Sequence, residues 1–482
     1  MIKFFKKCWE WLDDRTGAKD VWKVTAAHPI PPKTGWMYVF GSATMVALIV
    51  QVVSGSILAT KYIPSASQAY ETLLYLTNVD PVGRILRGLH SWGASAMVLF
   101  VGLHMTRVFM TGSYKFPREM NWLTGVVLLA ITLGIAFTGQ VMRWDNNAIW
   151  SVIVAAEQAV RIPWVGQQVA DMVMGGGHIN GSTLSRFFSL HVFILPGILF
   201  LFLGVHLYLV IKNGISEPPR RGMPVNPKTY RKWYKDYLSQ RGEPFWPNAA
   251  WRDAVVSVGM IIVIMLLAIF VGPPALDPVP DPTNIDASPK PDWYFLWYFA
   301  VLALSPHHLE NWIMIFAPVL VGIALIILPL WFNRGERHPL RRPWSIGIVV
   351  FVWLTIGILW ILGATTPWSP HFNTPPLTSK IVGTHTGPVW EGAMLFRDRG
   401  CQYCHKIEDI GGERGPDLTW IGDRLTRKDI IIRINNGGYN MPSYAPSLSS
   451  TDIKLIVDFL ESRKKYKDAP KVPKPKKTSQ KI

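Results

Sequence analysis

The sequence predicts an all-α integral membrane protein: seven transmembrane helices, the first four a bundle, followed by a small α-helical domain. Three observations predict it. Seven windows long enough to cross a bilayer contain no Asp, Glu, Lys or Arg. Four histidines fall in two like-spaced pairs on two of those windows. A Cys-x-x-Cys-His run lies in the C-terminal part, beyond the last window.

The windows are 36–60, 88–106, 120–142, 187–211, 254–276, 311–333 and 344–367. At about 1.5 Å per residue each covers roughly the 30 Å hydrocarbon core. An eighth apolar stretch, 293–305, stops at Pro306 and is too short to cross. It reads as lying at the interface or packed in protein. These windows divide the chain into an N-terminal segment (1–35), a four-helix domain (36–215), a connecting segment (216–250) and a three-helix domain (251–367). A Pro-, Thr- and Gly-rich linker (368–384), a globular domain (385–463) and a Lys- and Pro-rich tail expected to be disordered (464–482) follow.

The net charge of +17 comes mainly from the segments between spans and from the tail, so membrane lipid rather than nucleic acid accounts for it. With the N-terminus in the cytoplasm, Lys and Arg in cytoplasmic loops outnumber those opposite by three to one. That orientation, in a bacterial-type cytoplasmic membrane, puts the C-terminal domain outside, in the periplasm. Before Trp36 no long apolar run occurs, and the start does not read as a cleaved signal peptide. The three cysteines, Cys8, Cys401 and Cys404, exclude a disulfide framework and an iron–sulfur cluster made from this chain's own thiols. Cys8, with no partner, reads as an ordinary thiol.

His90 and His104 lie 14 residues apart on the second span, His191 and His206 lie 15 apart on the fourth. At about 100° per residue each pair sits on one helix face, roughly 21–22 Å apart along the axis. Two such helices side by side offer one imidazole each to a site near either membrane surface. That is what two six-coordinate haem irons require, and bis-His ligation favours electron transfer over oxygen binding. A single intramembrane histidine is usually a polar contact between helices. Four in this pattern are not, because unpartnered imidazoles in lipid are costly. Gly41 and Gly55 on the first span, and Gly125 and Gly139 on the third, repeat the 14-residue period. Small-residue packing would explain any one of them. The shared period points instead to clearance for a flat porphyrin. Arg87, Arg107, Arg118 and Arg186, near the helix ends, either pair with haem propionates or anchor at the interface.

Pro291-Asp292-Trp293-Tyr294 lies in the outer loop after the fifth span, where a carboxylate at the edge of an aromatic segment can take a proton from a quinol hydroxyl. Cys401-Gln402-Tyr403-Cys404-His405 is a strong signal for covalent c-type haem: two thioether links from Cys401 and Cys404, and His405 as one axial ligand. Met441, the one Met after Met394, is the candidate second ligand and would raise the potential. His371 and His385 are weaker rivals. His28, His178, His307, His308 and His338 read as loop residues.

These residues, with Leu103-His104-Met105-Thr106-Arg107, Ser189-Leu190-His191 and Gly242-Glu243-Pro244-Phe245-Trp246-Pro247, resemble the cytochrome b subunit of cytochrome bc and b6f complexes over residues 30–367. The 14/15 spacing resembles the b6f type. Residues 1–215 look like cytochrome b6, and 240–367 like its companion subunit IV, here joined in one polypeptide. The C-terminal domain resembles small class I cytochromes c.

The resemblance implies that His90 with His191 holds the outer haem b and His104 with His206 the inner. It implies that Pro291–Tyr294 is the quinol-oxidation motif, usually with Glu where this chain has Asp292, which shortens the reach by one methylene. Where b6f relatives tether an extra haem through a cysteine, this chain has Val39. The resemblance further implies bifurcated oxidation: one electron to a Rieske iron–sulfur protein on another chain and on to a c-type haem, the other across both b haems to an inner quinone. Protons released outside and taken up inside would charge the membrane. A homodimer and a downstream cytochrome c or terminal oxidase are also expected. The alternative reading is a di-haem membrane anchor of a dehydrogenase or reductase, which would need neither Asp292 nor the last three spans. A transporter with an appended cytochrome would hold no b haem at all.

Overall fold

A computed structural model describes residues 2–176, 179–279, 289–305, 307–366, 370–437, 441, 443–445 and 447–465. His178 and most of the basic tail, 466–482, lie outside the described residues. The chain divides into two compact units. One is Met1–Pro282 with Pro291–Phe295 and Trp312–Ile358, the other Thr283–Lys290 with Leu296–Asn311 and Leu359–Ile482.

Seven helices among the described residues are long and apolar enough to span a membrane: Phe40–Ala59, Pro81–Met110, Glu119–Val141, Gly181–Asn213, Ala250–Val271, Asn311–Trp331 and Pro343–Thr365. Each realises one expected window. The second and fourth run well past theirs, because Arg and Lys are costly in lipid but acceptable in a helix. The second begins where Asp80 accepts hydrogen bonds from the Val82 and Gly83 amides (3.0 Å each), with Pro81 in the first turn. The fourth begins with an Asn180–Thr183 capping box. It then widens into a π turn at Leu190–Ile194, just before Pro196, whose ring and missing N–H disfavour a regular α turn there. That turn carries His191.

The first span packs along the second, the fourth along the third, and the second meets the third, closing a four-helix bundle. The fifth lies against the first and second. The sixth is tied by the Trp122 indole donating to the Leu325 carbonyl (2.7 Å), and the seventh by the Trp353 indole donating to Thr106 (3.1 Å). Large apolar side chains such as Phe193, Leu201 and Phe270 point outward, as lipid-facing positions do.

Loops hold more structure than composition revealed. The N-terminal segment forms helices Ile2–Thr16 and Ala18–Thr25. Pro29–Ile30 then pairs antiparallel with Glu243–Pro244, tying the entrance of the first span to that of the fifth. Helices Asn146–Val160 and Gly166–Met174 fill the connection after the third span. The apolar stretch 293–305 is a 3-10 turn (Trp293–Phe295) and a helix, Leu296–Leu304, as its length required. His307 and His308, expected in a loop, instead open the helix His307–Trp331.

In the second unit the C-terminal domain closes on Phe396, Ile407, Ile456, Val457 and Phe459. Helix Pro388–Asp398 crosses Ser450–Ser462 so closely that a Cβ on Gly392 would meet the Leu455 carbonyl at 2.0 Å. A short hairpin joins Lys406–Ile407 to Ile410–Gly411. The expected linker 368–384 is not free over its described part. Leu377 and Val382 enter this core, and Gln402 donates to the Pro375 carbonyl (2.6 Å). Pro and Gly content suggested a spacer, but two apolar residues, one in coil and one at the end of a helical turn, were enough to dock it.

Candidate functional site: paired histidines in the membrane bundle and a Cys-Cys-His turn

His90 and His191 meet across the bundle. The His90 and His191 ring centroids are 6.1 Å apart with the rings steeply inclined. Two imidazole bonds of about 2 Å to one metal, plus the ring radii, need roughly this separation. Each ring is held at Nδ1, leaving Nε2 for a metal: His90 at Ser54 (3.1 Å), His191 at the Ile135 carbonyl (3.0 Å) and Thr138 (3.1 Å). A Cβ on Gly55 would stand 2.9 Å from His90 Cε1, and one on Gly139 2.7 Å from His191 Cε1. Both glycines therefore make room for the ligand rings themselves, a closer constraint than porphyrin clearance alone.

The second site, at His104 and His206, repeats this more loosely. Gly41 faces His104 at 3.1 Å, Gly125 faces His206 at 3.6 Å, and His206 Nδ1 lies 2.9 Å from Thr124. Two imidazoles leave an iron four ligands short, the number a porphyrin supplies, so both sites fit haem.

The arginines divide. Arg107 is buried, stacked on the Tyr38 ring (3.6 Å to the centroid), and its Nε and Nη2 have no hydrogen-bond partner, the state expected of a group awaiting a carboxylate. Arg87 donates to Thr77 (2.7 Å) and the Pro274 carbonyl (2.8 Å) while lining a cavity shared with His90 and His191. Arg118 is buried and committed elsewhere, to the Gly214 and Asn213 carbonyls and the Tyr230 hydroxyl, a tie to the segment after the fourth span. Arg186, bonded to the Met172 carbonyl on the surface, fits the anchoring alternative.

A cavity of about 560 Å³ joins His90, His191, Gly55 and Gly139 to Asp292, Trp293 and Tyr294. The Tyr294 hydroxyl donates to Asp292 Oδ2 (2.9 Å), and the Trp293 indole donates to Ser95 (3.1 Å). Pro291 begins this turn. Two residues of this wall were missed in the sequence: Gln140, 3.5 Å from the Asp292 amide, and Arg143, 3.8 Å from Asp292 Oδ1. Nothing in their local pattern marked them, since only the fold brings the end of the third span beside residue 292. Asp253 was missed likewise. It lies at the N-terminal end of the fifth span with its carboxylate at the Ser42 hydroxyl, next to Gly41.

In the C-terminal domain Cys401–Cys404 form one helical turn. Burial pushes the Cys401 thiol up to about 12 and raises that of Cys404, so both are neutral thiols at neutral pH. His405 Nδ1 lies 2.8 Å from the Pro416 carbonyl, which leaves Nε2 free, and a Cβ on Gly415 would strike the ring at 2.3 Å. Burial also lowers the His405 pKa, favouring the neutral imidazole that binds metal. Met441 is half-buried, in the segment leading to Tyr444, which packs on this core with Cys401.

Two imidazoles from each of two helices, paired near both ends of a membrane bundle, fit a membrane cytochrome of the b type. Comparison with known proteins is specific. Residues 25–214 match the family model described as cytochrome b/b6/petB, and 388–460 match that of cytochrome c oxidase, cbb3-type, subunit III. Over 220 residues the chain is 38% identical to the menaquinol:cytochrome c reductase cytochrome b subunit of Bacillus subtilis (strain 168), covering 44% of this chain and 98% of the relative. Over 210 residues it is 40% identical to cytochrome b6 of Heliobacterium mobile, covering 43% and 99%. A solved structure titled "Hyperthermophilic respiratory Complex III" shares the fold, with a TM-score of 0.63 and 24% identity, over 74% of this chain and 91% of that one. The chain belongs to the cytochrome b/b6 family, as a multi-pass membrane protein carrying a C-terminal cytochrome c domain.

Proposed function

We propose that this chain is the cytochrome b subunit of a quinol:cytochrome c oxidoreductase, oxidising quinol at the outer side of the membrane. The observation that carries the reading is the single cavity in which Asp292 and Tyr294 stand with His90 and His191. Quinol lies against Trp293 and Tyr294, and a ring hydroxyl donates to Asp292. Asp292 accepts the proton as the quinol is oxidised, and Tyr294, bonded to its other oxygen, keeps it oriented. His90 with His191 and His104 with His206 hold two b haems, with Arg107 toward a propionate of the inner one. Cys401 and Cys404 would attach a c haem, and His405 and Met441 would hold its iron. When bound, these groups supply one-electron transfer across the membrane and outward. Asp253 is the candidate proton donor at the inner end, where quinone is reduced. An intramembrane carboxylate is otherwise hard to account for.

One electron of each quinol leaves through a Rieske iron–sulfur protein on a separate chain, because this chain lacks the ligands for such a cluster. The other crosses the bundle. A cytoplasmic N-terminus, a periplasmic cytochrome c domain, a homodimer and a downstream cytochrome c or terminal oxidase complete the arrangement. The named activity of the Bacillus relative supports the quinol reaction. A one-way di-haem anchor explains neither the Asp292 wall of the cavity nor the tie between the third span and residue 292. Quinol oxidation measured with and without the iron–sulfur chain tests the proposal. Turnover should require that chain and should stop when the outer site is blocked. Oxidation that proceeds unchanged without it would support the anchor instead.

A further inference from the structure

Arg143 lies just beyond the third span. Its side chain is 17% exposed. Nη1 stands 3.8 Å from Asp292 Oδ1 and Nε 3.5 Å from Asp145 Oδ2, while Nε and Nη2 have no hydrogen-bond partner. The group lines the cavity that holds His90 and His191. Asp145 is fully buried and accepts from the Ala148 amide (2.8 Å) and the Asp277 amide (3.2 Å). Asp145 is therefore fixed to the outer helix Asn146–Val160 and to the segment after the fifth span. Arg143 thus spans a rigid carboxylate on one side and the cavity-wall carboxylate on the other. The two Asp292 oxygens are divided between Tyr294 and Arg143.

We propose that Arg143 is a positioning residue for quinol oxidation: braced against Asp145, it holds the Asp292 carboxylate at the cavity wall, facing the quinol hydroxyl. The inference rests on the reading of Asp292 as proton acceptor. A short Asp side chain cannot follow the substrate as a longer one would, so its place must be set from outside. The separation of 3.8 Å supplies attraction without a tight hydrogen bond, leaving Asp292 free to take a proton. Gln140 at the Asp292 amide fixes the backbone of the same turn. The proton passes from the quinol oxygen to Asp292, the electron goes to the separate iron–sulfur protein, and Arg143 exchanges neither.

The test uses the full chain in its membrane complex and a short-chain quinol that the wild type oxidises. Arg143→Met, Arg143→Lys, Asp292→Asn and the double variant Arg143→Met/Asp292→Asn are compared. Arg143→Met should lower kcat by about tenfold or more while moving KM by less than about threefold. Arg143→Lys should recover most of the loss, and both b-haem bands should persist. Adding Arg143→Met to Asp292→Asn should cost little further, because the two residues act as one unit. Wild-type turnover in Arg143→Met, an equal further loss in the double variant, or disappearance of the outer haem band in Arg143→Lys would overturn the inference. Failure of the Asp292 reading itself looks different: Asp292→Asn would then turn over like the wild type.

Discussion

At the scale of single residues, the histidine rings and the glycines facing them make one fitted unit. The clearances differ enough to rank substitutions. A methyl at Gly139 would sit 2.7 Å from a ring pinned by two Nδ1 contacts, so the ring must leave its place. Gly139→Ala should therefore halve the b-haem content of the purified protein and spare the covalent haem, as read by pyridine haemochrome analysis. Gly125→Ala should keep both b haems, since 3.6 Å is ordinary contact. Haem counts unchanged in both variants would show that these glycines serve helix packing only. The four histidines, the glycine period and the Cys-Cys-His run were legible in the sequence because their chemistry requires fixed residue types at fixed helical spacing. The same reasoning could not separate Arg107, with unmet donors, from Arg118, whose donors are taken by a loop more than 90 residues away.

Helices and turns depend on caps and close approaches that sequence signals convey unevenly. Asp80 followed by Pro81 announces a helix start, yet the charged residues beyond it hid the first two turns of the second span from a hydropathy criterion. Asp80→Ala removes that cap and the ion pair with Lys61, and should lower stability by about 1 kcal/mol with both b haems retained. A thermal shift of a few degrees in detergent would register it, and no shift would argue that the cap is idle. Gly392→Ala should act more severely, driving apart helices Pro388–Asp398 and Ser450–Ser462. The expected result is loss of the covalent haem with the b-haem spectrum intact. The helices packed in the outer connection and the docking of Leu377 escaped the sequence reading, because both depend on surfaces supplied by distant parts of the chain.

For the whole molecule, separate duties fall to a lipid-embedded bundle and to a C-terminal domain with its own core. Replacing Cys401 and Cys404 by Ser should remove only the covalent haem, leaving quinol-dependent reduction of the b haems while steady-state turnover falls. Loss of all three haems would contradict that division. The seven-span plan could be read from hydropathy alone, since lipid demands uncharged windows of fixed length. The outer cavity could not, because it joins the third span to a turn about 150 residues later in the chain.

The most direct measurement is a reduced-minus-oxidised spectrum of the purified chain beside its His191→Ala and His206→Ala variants. Two b haems per c haem in the parent, and loss of the outer b haem in the first variant and of the inner in the second, is the predicted result. A parent with no b-type absorbance, or a His191→Ala protein that keeps both b haems, would contradict it.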